Sequence, residues 1–329
     1  MFALPESWVW DFWLVDDGDR YHMFFLYASK ALRDPEARHY RASVGHAVSD
    51  DLVSWTRVID ALVRSDAPAF DDLATWTGSV VRDDDGTWFM FYTGSTLTPA
   101  GNVQRIGYAT SKDLYTWEKN PGGPILEADS RWYERITDGC WHDEAFRDPW
   151  VFRDPWGTGW RMLITARANS GPADDRGVIG TAVSDDLRTW TLEAPLTEPG
   201  AGFGQLEVLN IAEVDGEEFL SFSCLASELS ATRLATGTTG GVWILPSRPG
   251  ARRWDPAEAR LLAGDDLYVG RFIRERATGR TVFLAFHNYA PDRSFVGEIS
   301  DPRYASLRDG HVVLGEWVRP GLTQRISGS

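Results

Sequence analysis

Three acidic residues each stand alone in an apolar stretch of this sequence. Asp11 lies in Val-Trp-Asp-Phe-Trp, Asp148 follows Arg147 in Arg-Asp-Pro-Trp-Val-Phe, and Glu207 lies in Leu-Glu-Val-Leu. An isolated buried carboxylate is unfavourable, so each of these acids needs an ionic or hydrogen-bonding partner, or has a functional role that accounts for its burial. If the three converge beside the arginine, their pKa values are pushed apart. Cleavage of a glycosidic bond requires such a set, because one carboxylic acid protonates the leaving oxygen while another carboxylate attacks or activates water.

The elements that must position these acids are repeated hairpins. Each copy is an apolar run, a turn rich in Asp and Gly, and a second apolar run. Two apolar runs around such a turn are typical of a β-hairpin. The five copies occupy residues 15–26, 82–92, 152–164, 213–222 and 275–286.

A second repeated motif follows each hairpin. It consists of a short strand, a Ser-Asp turn and a tryptophan that begins an outer strand. Its clear copies are residues 44–55, 106–117 and 179–190, and its weaker copies are residues 241–254 and 296–307. Ser and Asp side chains stabilise turns by bonding nearby backbone N–H groups. We expect Trp55, Trp117 and Trp190 to fill the core between repeats.

The repeat therefore contains about four strands and recurs five times, which predicts an all-β fold. Four-stranded antiparallel sheets repeated radially form a β-propeller. We predict one five-bladed β-propeller over residues 1–320, followed by a loose tail at 321–329. The predicted blades are residues 8–58, 76–119, 146–192, 206–255 and 268–318. Helical periodicity is nearly absent, and residues 256–262 would form at most one or two turns.

In a propeller, the three acids would lie at the same end of the central channel. The first strand of each blade lines the central channel, and all five first strands run in the same direction. Asp11 lies seven residues before the turn glycine of its hairpin, and Asp148 and Glu207 each lie nine residues before theirs. Because these offsets have equal parity, the period-two alternation of a strand can place all three side chains on the channel side. A structural ion pair is the more ordinary role of one such acid, but three in register favour catalysis.

These motifs resemble the five-bladed glycosidases of glycoside hydrolase families 32, 68 and 43. Phe-Arg-Asp-Pro at 146–149 is similar to their Arg-Asp-Pro motif, and Val-Trp-Asp at 9–11 is similar to the nucleophile motif in its family 68 form. Leu-Glu-Val at 206–208 stands where those families carry the acid/base, and Trp-Thr-Gly-Ser at 76–79 resembles a substrate motif of the second blade. Family 32 usually has Asn-Asp-Pro around its nucleophile, where this chain has Trp-Asp-Phe. It usually has Glu-Cys around its acid, where this chain has Glu-Val.

The resemblance implies a retaining glycoside hydrolase that acts on β-fructofuranosides such as sucrose or fructo-oligosaccharides, by hydrolysis or by fructosyl transfer. It implies that Asp11 is the nucleophile and forms a covalent glycosyl-enzyme. Glu207 would be the acid/base, and Asp148 would stabilise the transition state through the ring hydroxyls.

Further candidates for substrate binding lie near the same strand mouths. Arg147 would hold Asp148 ionised and contact a sugar hydroxyl. A tryptophan at such a position either stacks on a sugar ring or packs into the core, and the sequence leaves both roles open. The other candidates are Trp10, Trp13, Trp76, Ser79, Trp141, Tyr268 and Arg271.

Two alternatives remain open. The first is an inverting arabinofuranosidase or xylosidase of the family 43 type, in which Asp11 is a general base. A separation of about 5–5.5 Å between the carboxyl groups of Asp11 and Glu207 favours retention, and about 6.5–9.5 Å favours inversion. The second alternative is a non-catalytic carbohydrate-binding propeller, which would not need three acids at its strand mouths.

The composition of the chain limits the classes of partner that it could bind. The 329 residues include 33 Lys and Arg against 48 Asp and Glu, a net charge of −15, which argues against nucleic acid and anionic membranes as partners. No apolar run of about 18 residues predicts a transmembrane helix. The two cysteines form no CxxC pair and no EF-hand spacing occurs, so we expect no metal or other cofactor. The first residues lack a basic region, so we expect a cytoplasmic protein, or a secreted one if a leader was removed.

Overall fold

A computed structural model of the protein describes residues 1–247 and 254–318. Five separate sheets, each with a four-stranded antiparallel path, are arranged in sequence along the chain. The prediction of an all-β, five-bladed propeller is therefore confirmed. The predicted tail at 321–329 lies outside the described residues.

Each blade is built from strands that are consecutive in sequence, because each tight hairpin places a strand beside the one before it. Blade I contains β1 (Ser7–Asp16), β2 (Tyr21–Ser29), β3 (Ser43–Ser49) and β4 (Thr56–Arg57). Blade II contains β5 (Ala74–Arg82), β6 (Trp88–Thr98), β7 (Gly101–Ser111) and β8 (Glu118–Lys119), and β9 (Asp143–Glu144) pairs in parallel with β7. Blade III contains β10 (Phe146–Arg153), β11 (Trp160–Arg167), β12 (Gly177–Ser184) and β13 (Thr191–Glu193). Blade IV contains β14 (Glu207–Val214), β15 (Glu217–Cys224), β16 (Gly241–Pro246) and β17 (Arg260–Gly264). Blade V contains β18 (Leu267–Arg274), β19 (Thr281–Tyr289), β20 (Phe295–Ile299), β21 (Arg303–Arg308) and β22 (His311–Trp317).

Helical structure in the described residues is confined to short pieces in the loops. The single α-helix is α1 (Ala231–Leu234). The 3-10 turns are Lys30–Leu32, Glu36–Arg41, Ile136–Asp138, Ala173–Asp175, Ala226–Glu228 and Pro256–Glu258. The last of these lies within residues 256–262, where at most one or two turns were predicted, and the chain then enters β17. In the described part of the chain, no helix has the length and apolar character needed to cross a membrane.

The innermost strands form a closed ring. β5 packs beside β1 and β10, β14 packs beside β10 and β18, and β18 packs beside β1. The chain start also joins the last blade, because Phe2 exchanges two backbone hydrogen bonds of 2.9 Å with Ile299 of β20. The N-terminal residues therefore help to hold blade V against blade I.

The repeated Ser-Asp turn has the expected structural role. In its first copy, Asp51 Oδ1 accepts hydrogen bonds from the backbone N–H groups of Val53 and Ser54 at 2.9 and 2.7 Å. The indole N–H of Trp117 donates to the carbonyl three residues earlier, and its ring meets Phe24 of blade I edge to face at 5.7 Å. The repeated tryptophan thus joins neighbouring blades, as predicted.

Blade V departs from the simple four-strand pattern. The third position of its sheet is divided into β20 and β21, and both pieces pair with β19. The break contains Pro302, which has no backbone N–H to contribute to a ladder. This interruption explains why the fifth copy of the second sequence motif is weak.

Blade II offers a test of how tightly the inner strands pack. A Cβ atom at Gly78 would lie 1.9 Å from the backbone oxygen of Phe91, so two paired strands would have to separate. We expect Gly78→Ala to lower the free energy of unfolding by about 3 kcal/mol or more. Gly122→Ala is the matched control, because the nearest atoms belong to the side chain of Asn120, at 3.3 Å, and not to a paired strand. Urea unfolding measures the free energy of unfolding of both variants. Equal decreases in the two variants would contradict the close-packing explanation.

Candidate active site

A β-bulge interrupts every innermost strand near its start. The pairing register shifts by one residue in all five inner hairpins. The residues at the equivalent bulge position are Asp11, Thr77, Asp148, Val208 and Val269. The last three have φ values of 58°, 53° and 53°. This left-handed backbone conformation is unfavourable for residues other than glycine. Such strain persists only where surrounding packing enforces it, and it clusters at functional sites.

At four of the five strand mouths, the bulge brings two successive residues towards the same cavity, because a bulge re-aims side chains that would otherwise alternate. The residues that precede the bulge positions all line this cavity, which has a volume of about 730 Å³. They are Trp10, Trp76, Arg147, Glu207 and Tyr268. Asp11, Asp148, Thr77 and Val208 line it as well. The three acids singled out by the sequence therefore converge on one cavity.

Asp11 is held in the cavity wall by a neighbouring blade. The Thr77 hydroxyl donates a hydrogen bond to Asp11 Oδ2. Burial raises the pKa of Asp11 to about 6, the Thr77 hydrogen bond opposes this, and the charge of Glu207 adds to it. Asp11 is therefore ionised above about pH 6, and its anion is supported by the charges of Arg271 and Arg38.

Asp148 is the most enclosed of the three acids, at 4% exposure. Its Oδ2 accepts hydrogen bonds from the Thr165 hydroxyl at 2.9 Å and from the Val208 backbone N–H at 3.3 Å. Burial raises the pKa of Asp148 to about 7, although the neighbouring Arg147 charge lowers it. The carboxyl group is therefore fixed by three different partners and changes charge near neutral pH.

Both oxygens of Glu207 are held by residues at the equivalent positions of the flanking blades. Arg147 Nη2 donates to Glu207 Oε1 at 2.5 Å, and the Tyr268 hydroxyl donates to Oε2. Arg147 also lies within 3.5 Å of Asp148 and of Asp143. One arginine thus links the carboxyl groups of blades III and IV.

Four of the predicted substrate-binding residues do not line the cavity. Trp13 is fully buried and stacks on Phe24, and Ser79 bonds the backbone of β10 at Pro149 and Val151. The Arg167 guanidinium covers the Trp141 ring at 3.7 Å. Arg271 donates to the Phe12 and Leu209 carbonyls and supports Asp11 and Asp148 through its charge. The alternation of β1 directs Trp13 into the core, and the other three are engaged by neighbouring blades.

Other cavity residues were not predicted individually from the sequence, because they lie in loops or outside the innermost strands. They include Arg38, His39, Asp143, Gln205, Glu228 and Asn288. Four of them each keep one buried polar atom without a hydrogen-bond partner among the described residues: Arg38 Nε, Asp143 Oδ1, Glu228 Oε2 and Asn288 Nδ2. Unpaired buried polar atoms are unfavourable. A ligand with many hydroxyl groups could satisfy them.

Glu228 provides a test of the electrostatics of the cavity. Burial raises its pKa to about 8, and the charge of Glu207 adds to this effect. The folded state thus keeps a proton that the unfolded chain releases near 4.5, so the associated stability is complete at low pH and is lost as the pH rises towards 8. Glu228→Gln cannot ionise. We expect wild type to lose on the order of 2–4 kcal/mol more than the variant between pH 5 and 8.5. Urea unfolding across this range measures the difference, and parallel stability curves would contradict it.

Within residues 1–247 and 254–318, no group of three or more His, Cys, Asp or Glu side chains has the placement needed to hold a metal ion. The two thiols, exposed Cys140 and buried Cys224, are both free. The polar groups that line the cavity include carboxyl groups, the hydroxyls of Tyr268 and Thr77, the imidazoles of His39 and His142, and two arginines.

Solved structures share this architecture. An inulosucrase from Halalkalicoccus jeotgali, solved with bound kestose, superposes with a TM-score of 0.73 at 21% identity, covering 96% of this chain and 89% of that one. A β-fructofuranosidase of family 32 from Bombyx mori superposes with a TM-score of 0.72 at 18% identity, covering 95% of this chain and 64% of that one. At these identities the likeness concerns the fold.

The fold and the site together define a five-bladed propeller with an acidic central cavity. The model of the glycosyl hydrolases family 32 N-terminal domain matches residues 12–311, and the chain belongs to this family. A sucrose-6-phosphate hydrolase from Escherichia coli is 29% identical over 253 residues, which is 73% of this chain and 47% of that protein. The chain thus spans about half the length of this relative.

Proposed function

We propose that the protein is a retaining glycosidase acting on β-fructofuranosides, with sucrose and fructo-oligosaccharides as the substrate class. The observation that carries this proposal is the convergence of Asp11, Asp148 and Glu207 on one buried cavity beside Arg147. Family 32 membership and the names of the relatives, which include fructofuranosidases and a sucrose-6-phosphate hydrolase, support it.

We assign the nucleophile to Asp11. With a pKa of about 6, its carboxylate is available near neutral pH, and Thr77 holds one oxygen so that the other can approach the anomeric carbon. Attack forms a covalent fructosyl-enzyme and releases the leaving sugar. Arg271 and Arg38 balance the carboxylate charge before the attack.

Glu207 is assigned the acid/base role. Arg147 and Tyr268 fix its carboxyl group from two sides, so its position relative to Asp11 is set by three blades. In the first step it protonates the leaving oxygen, and in the second it takes a proton from the incoming water or sugar hydroxyl. The two steps leave the anomeric configuration unchanged overall.

Asp148 is assigned to transition-state stabilisation. Its Oδ2 is occupied by Thr165 and the Val208 N–H, so Oδ1 is the oxygen that would contact the ring hydroxyls. These contacts would strengthen as positive charge develops on the sugar ring. Trp10 and Trp76 at neighbouring strand mouths provide apolar walls for the fructosyl ring.

Product analysis tests this proposal. The protein is incubated separately with sucrose, inulin, levan oligomers and an aryl arabinofuranoside, and released sugars are measured. We expect fructose from the fructosides, with β-fructofuranose as the first anomer seen by NMR before mutarotation. An initially inverted product would support the inverting mechanism, with Asp11 as general base. Binding of sugars without any turnover would support a carbohydrate-binding propeller instead.

A further inference from the structure

Two acids outside the proposed catalytic set are attached to Arg147 through glutamines. Gln104 accepts a hydrogen bond from Arg147 Nη1 at 3.1 Å and donates to Asp143 Oδ2 at 2.7 Å. Gln205 accepts from Arg147 Nη2 at 2.6 Å and donates to Glu228 Oε1 at 2.5 Å. Each glutamine therefore joins the arginine to one carboxyl group, and each carboxyl group is held by one of its two oxygens.

The second oxygen of each acid has no hydrogen-bond partner in the described residues. These atoms are Asp143 Oδ1 and Glu228 Oε2, and both residues line the cavity. Glu228 is only 8% exposed, so water has little access to it. The ring nitrogen Nε2 of His142 lies 3.9 Å from Asp143 Oδ1, beyond hydrogen-bond distance. Buried oxygens of this kind call for a hydrogen-bond partner from a bound molecule.

The two acids lie on the Glu207 side of the cavity. Arg147 contacts Asp143 and Glu207 together, and Gln205 joins Glu228 to the same arginine. A group beside Asp143 and Glu228 would therefore be next to the proposed acid/base. The leaving sugar occupies this position during cleavage.

We propose that Asp143 and Glu228 form the binding subsite for the leaving-group sugar, and that this subsite takes an uncharged sugar and excludes a phosphorylated one. This inference rests on the proposed function. Hydroxyl groups of the leaving sugar donate to Asp143 Oδ1 and pair with Glu228 Oε2, while the two glutamines keep both carboxyl groups in place.

The charge of the cavity supports the exclusion of phosphate. Its lining contains seven Asp and Glu side chains against two arginines. Arg147 is already engaged by Gln104, Gln205 and Glu207. Arg38 packs over the Phe295 ring at 3.8 Å, on the Asp11 side. A phosphate dianion at this position would face the carboxylates of Asp143 and Glu207, which Arg147 already binds, without a further arginine available. Unfavourable pairing of this kind discriminates strongly between related ligands.

A three-substrate comparison tests the inference on the intact chain. Wild-type kcat/KM is measured for sucrose, sucrose 6-phosphate and methyl β-fructofuranoside, whose leaving group has no sugar hydroxyls. We expect sucrose 6-phosphate to be cleaved at least about 100-fold less efficiently than sucrose. Equal or better cleavage of sucrose 6-phosphate would overturn the inference while leaving the proposed function intact. Failure to cleave any fructoside would overturn both.

Variants test the individual residues. In Glu228→Ala we expect the ratio of kcat/KM for sucrose to that for methyl β-fructofuranoside to fall at least about tenfold. Glu228→Gln should restore most of this ratio, because its amide can pair with a hydroxyl and with Gln205. Glu144→Gln is the matched control: Glu144 is buried beside Asp143 and also has one unpaired oxygen, but it does not line the cavity.

Equal losses on the two substrates in Glu228→Ala would mean that Glu228 acts only by supporting the fold, and would overturn its assignment to the subsite. If Glu228→Ala fails to fold, the ratio of kcat/KM for sucrose to that for methyl β-fructofuranoside is measured in Asp143→Ala instead. We expect this ratio to fall in that variant as well. The wild-type comparison between sucrose and its phosphate needs no variant, so the exclusion of phosphate is tested in every case.

Discussion

Replacing Asp11 with asparagine is expected to lower kcat on sucrose by about 10⁴-fold or more, because an amide cannot form the glycosyl ester that a carboxylate nucleophile forms. Initial rates of fructose release measure the effect. Asp19→Asn, an exposed acid in the turn after β1, is the control and should retain wild-type activity. A residual activity within tenfold of wild type would contradict the nucleophile assignment.

The stability of the same variant separates catalysis from a structural role. Burial raises the pKa of Asp11 to about 6, so above that pH the folded state contains a buried charge that costs stability. Asparagine removes the charge and can still accept the Thr77 hydrogen bond. Asp11→Asn should therefore be as stable as wild type at pH 7, or more stable by up to about 3 kcal/mol. If Asp11 were mainly an ion-pair partner, the variant would lose stability first and activity in proportion.

Azide adds a stereochemical readout for Asp11→Asn. With the protein nucleophile removed, azide can attack from the vacated side in a single displacement. The expected product is a fructosyl azide of inverted configuration, identified by NMR. A glycosyl azide of retained configuration from this variant would show that the covalent intermediate forms elsewhere.

Glu207→Gln is expected to lower kcat on sucrose by about 10³-fold, because the alkoxide of the leaving sugar then departs without a proton. An aryl fructofuranoside such as the 4-nitrophenyl derivative has a far better leaving group. Its first step should be slowed much less, which a pre-steady-state burst of nitrophenol would reveal. Glu213→Gln, an exposed glutamate on the same strand, is the matched control.

Two outcomes decide the role of Glu207. Equal losses on sucrose and on the aryl fructoside would contradict acid catalysis. Azide should accelerate turnover of the aryl substrate by intercepting the glycosyl-enzyme, and it should give a fructosyl azide of retained configuration. The variants of Asp11 and Glu207 are thus expected to yield opposite anomers, so one stereochemical measurement tests both assignments.

Local sequence patterns were sufficient to predict the blades. A hairpin is specified by its apolar alternation and its turn residues, which lie within about a dozen positions of one another. The Ser-Asp turn is also specified locally, because Asp51 accepts hydrogen bonds from backbone groups only two and three residues away. Five copies of these local signals define five blades, and the acids Asp11, Asp148 and Glu207 stand out because they interrupt apolar strands.

The geometry of the strand mouths was decided by tertiary structure. The glycine offsets treat Asp148 and Glu207 as equivalent, yet Asp148 occupies a bulge position and Glu207 precedes the bulge residue Val208. The hairpin loops differ in length: β10 and β11 are joined by residues 154–159, and β14 and β15 by residues 215–216. Bulges follow from the packing of inner strands around a narrow ring, and their signal in sequence is weak.

The support of the site was likewise visible only in the folded chain. Gln104 of blade II and Gln205, which precedes blade IV, meet on Arg147 of blade III, although about 100 residues separate the two glutamines. Isolated polar residues on outer strands and in loops have no local pattern that reveals a distant partner. The sequence alone therefore identified the repeated hairpins and the interrupting acids, because both are local. Only the closure of five blades decided which side chains face the cavity, because that depends on contacts between distant segments.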